Sequence, residues 1–426
     1  MIINCEKETT FTFSVIPPLY LPFFNSWASN AYYTYNKFDY EPSTIRSSST
    51  SGSPVILAGN SFFGFMSLNG GRFIYDGWGN LTVICPAGQS LYYSENCNPY
   101  EEWQNYNAEI IKKYPSRKTE EFWSGLEYCT WVDQSNKATL EGCTPQDFLN
   151  EKFVYEYMDR IERLGLPKGK LTIDHGWDIA YDADGNRIWG NWEIDRNKFP
   201  NMEQLVKDIK ARGFYPGLWF APFTVKPHSE IGKAHPELIG GPFEQDAESE
   251  MFKELSFLRP DACLKEYYTE VFSYYISMGF MKFKLDMSYG SKSDMIELLK
   301  MIYEVIKGID ETVEVEAHIP DIFATRYCDT LRINDVKFDP DGKWRAVTQE
   351  HHKVCKYSSP DKILNLDHLG TNTPVPAEED YLEHSKMLIT LGGGYPCVSL
   401  LPDFFGERVS EIYVNEIHKW VNSQGK

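Results

Sequence analysis

A (β/α)8 barrel preceded by a smaller, sandwich-like N-terminal all-β domain is the fold this sequence predicts, on three observations. From residue 126 onward, short apolar runs alternate with amphipathic stretches eight times. Before about residue 118 the chain shows short aromatic and β-branched runs cut by Gly, Asn and Pro, without long helical periodicity. No glycine-rich phosphate loop follows the early strands, which favours a closed barrel over an open nucleotide-binding sheet.

The N-terminal domain is assigned to residues 1–118, with SFFGFMSL, GRFIYDGW and NLTVIC as strands. The serine-rich SSSTSGS at 47–53 reads as a flexible loop within it. The charged stretch NAEIIKKYPSRKTEEF reads as a helical connector into a barrel over residues 119–426. The eight strand runs fall at 126–132, 169–174, 215–221, 280–286, 312–318, 328–334, 362–367 and 394–400. Helical candidates such as PQDFLNEKFVYEYMDRIERLG and ACLKEYYTEVFSYYISMG end at a Gly, where a helix C-terminus favours one.

With 426 residues, 42% of them hydrophobic, the chain can bury a large core. Its net charge of −19 repels phosphate backbones and anionic lipid, so nucleic-acid and membrane partners are not expected. Nine cysteines lie scattered with no CxxC pair and no zinc-ligand spacing. They read as free, mostly buried thiols, and neither a metal nor another cofactor is expected. Charges interrupt the N-terminus where a signal peptide needs an apolar run, which predicts a cytoplasmic location.

Barrel enzymes carry their chemistry at the C-terminal ends of the strands. Here those ends read Trp131 and Asp133, Asp174 and His175, Trp219, Asp286, Glu316 and His318, Arg332 and Asp335, then Asp367 and His368. Any one strand-end Asp has a plain alternative as a helix N-cap, but ionisable groups do not gather after apolar runs without a compensating role, because burying them is costly. Retaining glycoside hydrolysis needs two carboxyl groups about 5 to 5.5 Å apart, one nucleophile and one acid/base. Strands four and six offer Asp286 and Asp335. Lys284, two residues before Asp286 on the same face, is expected to keep that carboxylate ionised, and Asp335 is expected to be raised by its neighbour's charge and by burial. Asp339 and Asp341 compete with Asp335 as proton donor. Asp367 and His368 read as sugar-binding or capping residues, and the YDADGNRIWGNW stretch at 181–192 as a loop over the barrel mouth whose Trp189 or Trp192 could wall a sugar pocket. His351 and His352 read as a solvated helix face, and neither Glu316 nor His318 is assigned a catalytic role.

At these residues the chain resembles melibiase-type α-galactosidases, glycoside hydrolase family 36 and its relatives in families 27 and 31. LTIDHGWD at 171–178 is similar to that family's strand-two motif, and GNWEIDRNKFPNMEQLVKDIKARGFYPGLWFAPF at 190–223 to its longest spaced signature. LSFLRPD at 255–261 and FMKFKLDM at 280–287 resemble the step before, and the strand of, the family's nucleophile. LRINDV at 331–336 resembles its strand-six Arg and acid/base Asp. The resemblance implies that Asp286 forms a covalent glycosyl-enzyme and that Asp335 is the acid/base. It implies contacts to the sugar from Asp174, Trp177, Trp219, Lys284 and Arg332, with His175 standing where those enzymes carry a second Asp. Few residues follow the eighth strand, leaving no room there for the family's C-terminal β-domain. The implied activity is hydrolysis of a terminal α-linked sugar, most readily an α-galactoside, from a glycoside or oligosaccharide partner. Transglycosylation of the raffinose-synthase type, an α-glucosidase-like specificity and a non-catalytic carbohydrate-binding barrel stand as alternatives.

Overall fold

The computed structural model describes residues 1–22, 34–35, 37–44, 52–242, 252–336, 338–368, 376–399 and 405–424. Most of the serine-rich stretch at 47–53 lies outside them. Eight parallel strands close into a barrel: β1 (Glu127–Cys129), β2 (Lys170–Ile173), β3 (Tyr215–Phe220), β4 (Lys282–Leu285), β5 (Glu314–Ala317), β6 (Thr330–Arg332), β7 (Ile363–His368) and β8 (Gly394–Val398). Each pairs with the next, and β8 returns to β1 through Glu127 opposite Cys397 and Tyr128 opposite Val398. All eight expected strand runs are present.

The outward positions of the strands are apolar and meet the helices. Phe220 and Phe283 on β3 and β4 pack edge-on at 5.5 Å, and Phe272 of the helix Cys263–Met278 covers both. That helix ends at Gly279, whose φ of 113° takes the left-handed turn expected of a helix-terminating glycine.

The inward positions are polar. Lys282 donates to Glu127 and to Glu316 (2.6 Å), Lys170 donates to Glu314 (3.2 Å), and Asn365 donates to both Glu127 (2.9 Å) and Glu316 (2.8 Å). Tyr395 closes the layer with bonds to Glu314 and Glu316. All of these groups are buried. The strand LEYC, the KLTI of β2 and the TVEVEAH run all alternate one polar inward residue with one apolar outward residue, so this layer follows from the strand period. Gly217 makes it fit: a Cβ there would stand 2.6 Å from the Thr172 hydroxyl, which itself bonds Glu127.

In front of the barrel, two antiparallel sheets face each other. One has six strands, with Ser61–Phe65 and Val55–Ala58 at its centre; the other has four, with Asn80–Cys85 and Arg72–Tyr75 at its centre. Phe63, Phe65, Phe73, Leu81 and Val83 fill the space between them. The six-stranded sheet turns its other face to the helix Pro99–Lys113 through Phe62, Tyr92, Trp103 and Tyr106. Gly64 permits that approach, since a Cβ would lie 2.7 Å from the Tyr106 ring. The same helix reaches the barrel, with Trp103 stacked on Tyr357 at 5.6 Å and Asn107 donating to the Tyr357 carbonyl. It begins eight residues before the expected connector, at an Asn98 cap followed by Pro99 and two acidic residues, all favourable at a helix start.

One expectation is corrected. His351 and His352 are buried rather than solvated, because the helix Trp344–Ser358 turns that face inward. His351 Nδ1 meets the Asn334 carbonyl at 3.0 Å and His352 Nε2 the Gly392 carbonyl at 2.9 Å. Among the described residues, no helix is long and apolar enough to cross a membrane.

Removing one partner from the barrel's ionic layer leaves an unpaired buried charge. Lys282→Met is expected to cost roughly 3–5 kcal/mol of stability, with Glu127 and Glu316 left facing each other. Thermal or chemical denaturation checks this, and a variant as stable as the parent would show that the layer is dispensable.

Candidate active site

The site is built on the rim just above this layer. On β4, Lys282 and Lys284 point inward and Asp286 follows at the strand end, where its backbone N–H donates to the Phe220 carbonyl of β3 (2.8 Å). Met287 then takes a left-handed φ of 53°, which turns its N–H back onto Asp286 Oδ1 (2.9 Å). Trp219 Nε1 donates to Oδ2 (3.2 Å) and Arg332 Nη2 donates to Oδ1 (3.2 Å). Burial pushes the Asp286 carboxyl up, but Arg332 and Lys284 outweigh it and hold the group at about 2. About a quarter of the side chain still faces the cavity, so an ionised carboxylate is presented to a ligand.

Arg332, the last residue of β6, is a buried fork between carboxylates. Its Nη1 donates to Asp335 (2.8 Å) and Asp367 (3.2 Å), while Nη2 donates to Asp286 and to His318 Nδ1 (3.2 Å). Since a guanidinium only donates, His318 accepts at Nδ1 and carries its proton on Nε2. Burial, reinforced by Arg332, lowers the His318 pKa to about 3, so it is neutral near pH 7. Asp335 and Asp367 share a hydrogen bond, and the two are pushed apart. Burial works against ionisation of Asp335, yet Arg332 and the bond from Asp367 hold it well below the ordinary range. Burial and the neighbouring Asp335 charge push Asp367 well above it. The expectation that Asp335 itself is raised is thereby corrected: the upward shift falls on Asp367. A third of the Asp335 side chain is open, against 9% for Asp367, so Asp335 is the member a ligand meets.

The rest of the cavity is a charged floor and an aromatic wall. Lys284 donates to Asp174 Oδ2 (2.8 Å), which also accepts from the Cys129 thiol (3.1 Å). His175 stacks on Trp219 at 4.4 Å and 17°, with Trp189 set edge-on against both. Gln146 reaches His175 Nδ1 at 3.1 Å, and burial holds the ring neutral with its pKa at about 3. Trp131 lines the same space, a partly open cavity of about 90 Å³. A larger groove of about 570 Å³ opens at the opposite end of the barrel beside Gly392, Gly393 and Trp420, but its lining offers no paired carboxylates.

The expected residues divide into three groups. Asp174, His175, Trp219, Lys284, Asp286, Arg332 and Asp335 converge on the cavity. Trp177 stands behind its wall, fully buried against Phe220 and Tyr275, with its indole N–H on the Trp219 carbonyl (2.9 Å). Asp367 sits beneath Asp335 rather than at the surface of the cavity. Of the competing donors, Asp339 is occupied in receiving the N–H groups of Asp341, Lys343 and Trp344 at the start of the helix Trp344–Ser358, and Asp341 is exposed. Asp133 is bound to Arg160 (3.2 Å) in the core. Trp189, rather than Trp192, forms the cavity wall from the 181–192 hairpin; Trp192 packs behind Trp219. His318 is the contributor that strand-end reading left unassigned, although it follows β5 at the rim.

The Melibiase family model matches residues 141–288, a span that includes β2, β3 and β4 and ends two residues past Asp286. The chain is 33% identical over 119 residues to α-galactosidase AgaA of Geobacillus stearothermophilus, a stretch that covers 28% of this chain and 16% of that relative. In fold the chain is similar to the family 36 α-galactosidase AgaB of the same organism, with a TM-score of 0.67 at 14% identity, covering 97% of this chain and 62% of AgaB. It is likewise similar to the Thermus thermophilus α-galactosidase TtGalA solved with p-nitrophenyl α-D-galactopyranoside, at a TM-score of 0.69 and 16% identity, over 96% of this chain and 88% of TtGalA. The matched segment carries Asp174, Trp219, Lys284 and Asp286, whereas Arg332, Asp335 and Asp367 lie beyond it.

Arg332→Met removes the cation that three buried carboxyl groups share, and is expected to cost roughly 3–5 kcal/mol at pH 7. The pH dependence has a definite sign. With Arg332, the depressed Asp286 contributes stability above the ordinary carboxylate pKa, lost as the pH falls from about 4 through about 2. Without Arg332, these carboxyls are raised, and raised groups cost stability as the pH rises. The deficit of the variant should therefore shrink between pH 7 and pH 5 in paired denaturation curves. A deficit that widens on acidification would contradict the arrangement.

Proposed function

We propose that this chain is a retaining α-glycoside hydrolase that removes a terminal α-linked sugar, with an α-galactoside as the leading substrate. The observation that carries the reading is the arrangement around one guanidinium: Arg332 bonds Asp286, which faces the cavity, and both members of the Asp335–Asp367 carboxyl pair, whose pKa values are pushed in opposite directions. Double displacement needs such a division.

In the first half-reaction, Asp286 attacks the anomeric carbon and forms a glycosyl ester as the glycosidic C–O bond breaks. The departing oxygen takes its proton through Asp335, which first receives it from Asp367 across their hydrogen bond, leaving both carboxyls of the pair ionised. In the second half-reaction, the pair accepts a proton from water, whose oxygen displaces Asp286 and releases the sugar. Lys284 and Asp174 offer a donor and an acceptor to hydroxyl groups, and Trp219 with Trp189 offers apolar ring faces to the sugar's C–H surface. His175 contributes a neutral ring where the resembling enzymes have a carboxylate, so a panel of p-nitrophenyl α-galactoside, α-glucoside and α-xyloside is the direct test of sugar class. TtGalA was solved with the first of these.

Asp286→Ala is expected to abolish turnover of any substrate the parent cleaves; retained turnover would refute the nucleophile. Asp335→Ala should cost about 10²- to 10⁴-fold with alkyl aglycones and much less with nitrophenyl ones, which leave without protonation. Asp367→Asn removes the shared proton, so the alkaline limb of kcat/KM should move to lower pH. An unchanged profile would place the acid on Asp335 alone.

A further inference from the structure

Below the sugar cavity, three soft or borderline ligands from three neighbouring strands converge without a role in the reaction above. Cys129 ends β1, His368 ends β7 and Cys397 lies in β8. Their ligand atoms all lie within 4.8 Å of one another, and Cys397 Sγ stands 3.5 Å from His368 Nδ1. All three residues are buried, with at most 3% of their surface exposed. A tetrahedral ion with metal–sulfur bonds of about 2.3 Å and metal–nitrogen bonds of 2.0–2.1 Å spaces its ligand atoms roughly 3.5–3.8 Å apart, so this cluster needs only small adjustments to close on one. A carboxylate oxygen is in place as the fourth neighbour: Asp174 Oδ2 lies 3.1 Å from Cys129 Sγ.

We propose that Cys129, His368 and Cys397 form a binding site for a single thiophilic divalent ion such as Zn²⁺, set beneath the cavity floor and coupled to it through Asp174. The objection from charge is Lys284, whose ammonium stands 3.7 Å from Cys129 Sγ. Stoichiometry answers it. On binding, two S–H bonds break, two metal–sulfur bonds and one metal–nitrogen bond form, and two protons leave to solvent, so the net charge beside Lys284 is unchanged. The route in is the cavity itself, since His368 and Asp174 both line it.

Coupling follows from what the ion takes away. Metallated Cys129 no longer donates to Asp174, and Asp174 Oδ2 is drawn between Lys284 and the metal. The carboxylate that faces the sugar position thus changes partners, and the ion should inhibit. This second half rests on the proposed hydrolase activity; the binding half does not.

The test is titration of the full chain with CoCl2 under reducing conditions, read by absorbance. The expected result is a sulfur-to-cobalt charge-transfer band with tetrahedral d–d bands that saturates at one ion per chain, is bleached by ZnCl2 and releases two protons per ion. The band should persist in Cys143→Ser/Cys263→Ser, which removes the two exposed thiols, and vanish in Cys129→Ser/Cys397→Ser and in the milder Cys397→Ala. The absence of a saturating band in the parent, or its persistence in a folded Cys397→Ala, overturns the site. A bound ion that leaves the hydrolysis of the best p-nitrophenyl glycoside untouched overturns the coupling while leaving the site standing. A chain that binds cobalt as expected but cleaves no glycoside overturns the proposed activity instead.

Discussion

The guanidinium of Arg332 is the constraint on which the site depends. It lies in a barrel interior where an unpaired carboxylate is costly, and it is bonded to Asp286, Asp335 and Asp367 at once. Three negative charges around one positive charge would repel one another, and the balance disfavours ionisation most at Asp367, the least exposed of the three. The opposite shifts within the carboxyl pair are therefore a consequence of electrostatic balance in a confined space. Lysine could not take its place, because the planar fork reaches carboxylates on both sides from one fixed position.

Beneath Arg332 the barrel repeats the same logic in layers. Lys284 with Asp174 forms one, and Lys282 and Lys170 with Glu127, Glu314 and Glu316 form the next. Most barrel interiors fill these positions with branched apolar side chains. Here the interior is a column of alternating charge, and burial pulls Lys170 down to about 8 while its carboxylate partners oppose the fall. Such pairs add little net stability over an apolar filling, but they resist the loss of any single member. Their role is better understood as positional: each bond fixes the lateral place of a strand end, and the strand ends carry the groups that line the cavity.

Much of this was legible in the sequence, for a physical reason. In a barrel strand the period of two separates inward from outward residues, so KFKLD and TVEVEAH display their polar inward positions directly, and the residue after each run marks the rim. The helix starting at Pro99 was equally available from its Asn-Pro-Tyr-Glu-Glu start. What local pattern could not give was partnership across strands. Asp367 reads as one more strand-end carboxylate until Arg332 and Asp335 are seen beside it, and Trp177 matches a family motif although its ring supports Trp219 from behind. Cys129, His368 and Cys397 are separated by hundreds of residues in the case of the first and last, so no spacing rule finds them; only closure of β8 onto β1 brings them together.

Backbone strain marks the same places as the chemistry. Five non-glycine residues among those described have positive φ, and three of them are Met287, Asp367 and Trp192, which are respectively beside Asp286, under Asp335 and behind Trp219. A left-handed methionine costs on the order of 1 kcal/mol or more, and it persists only where the surroundings over-determine it. At Met287 the return is the N–H that bonds Asp286 Oδ1, a donor that a continuing strand would have given to its neighbour instead. At Asp367 it is the irregularity in β7 between Asn365 and His368 that sets its carboxyl against Asp335, with the backbone N–H held by Asn365 (2.9 Å). Asn365 in turn belongs to the ionic layer below. The strained residue beneath Asp335 is thus anchored in the charged column, which ties the carboxyl pair of the rim to the packing of the barrel.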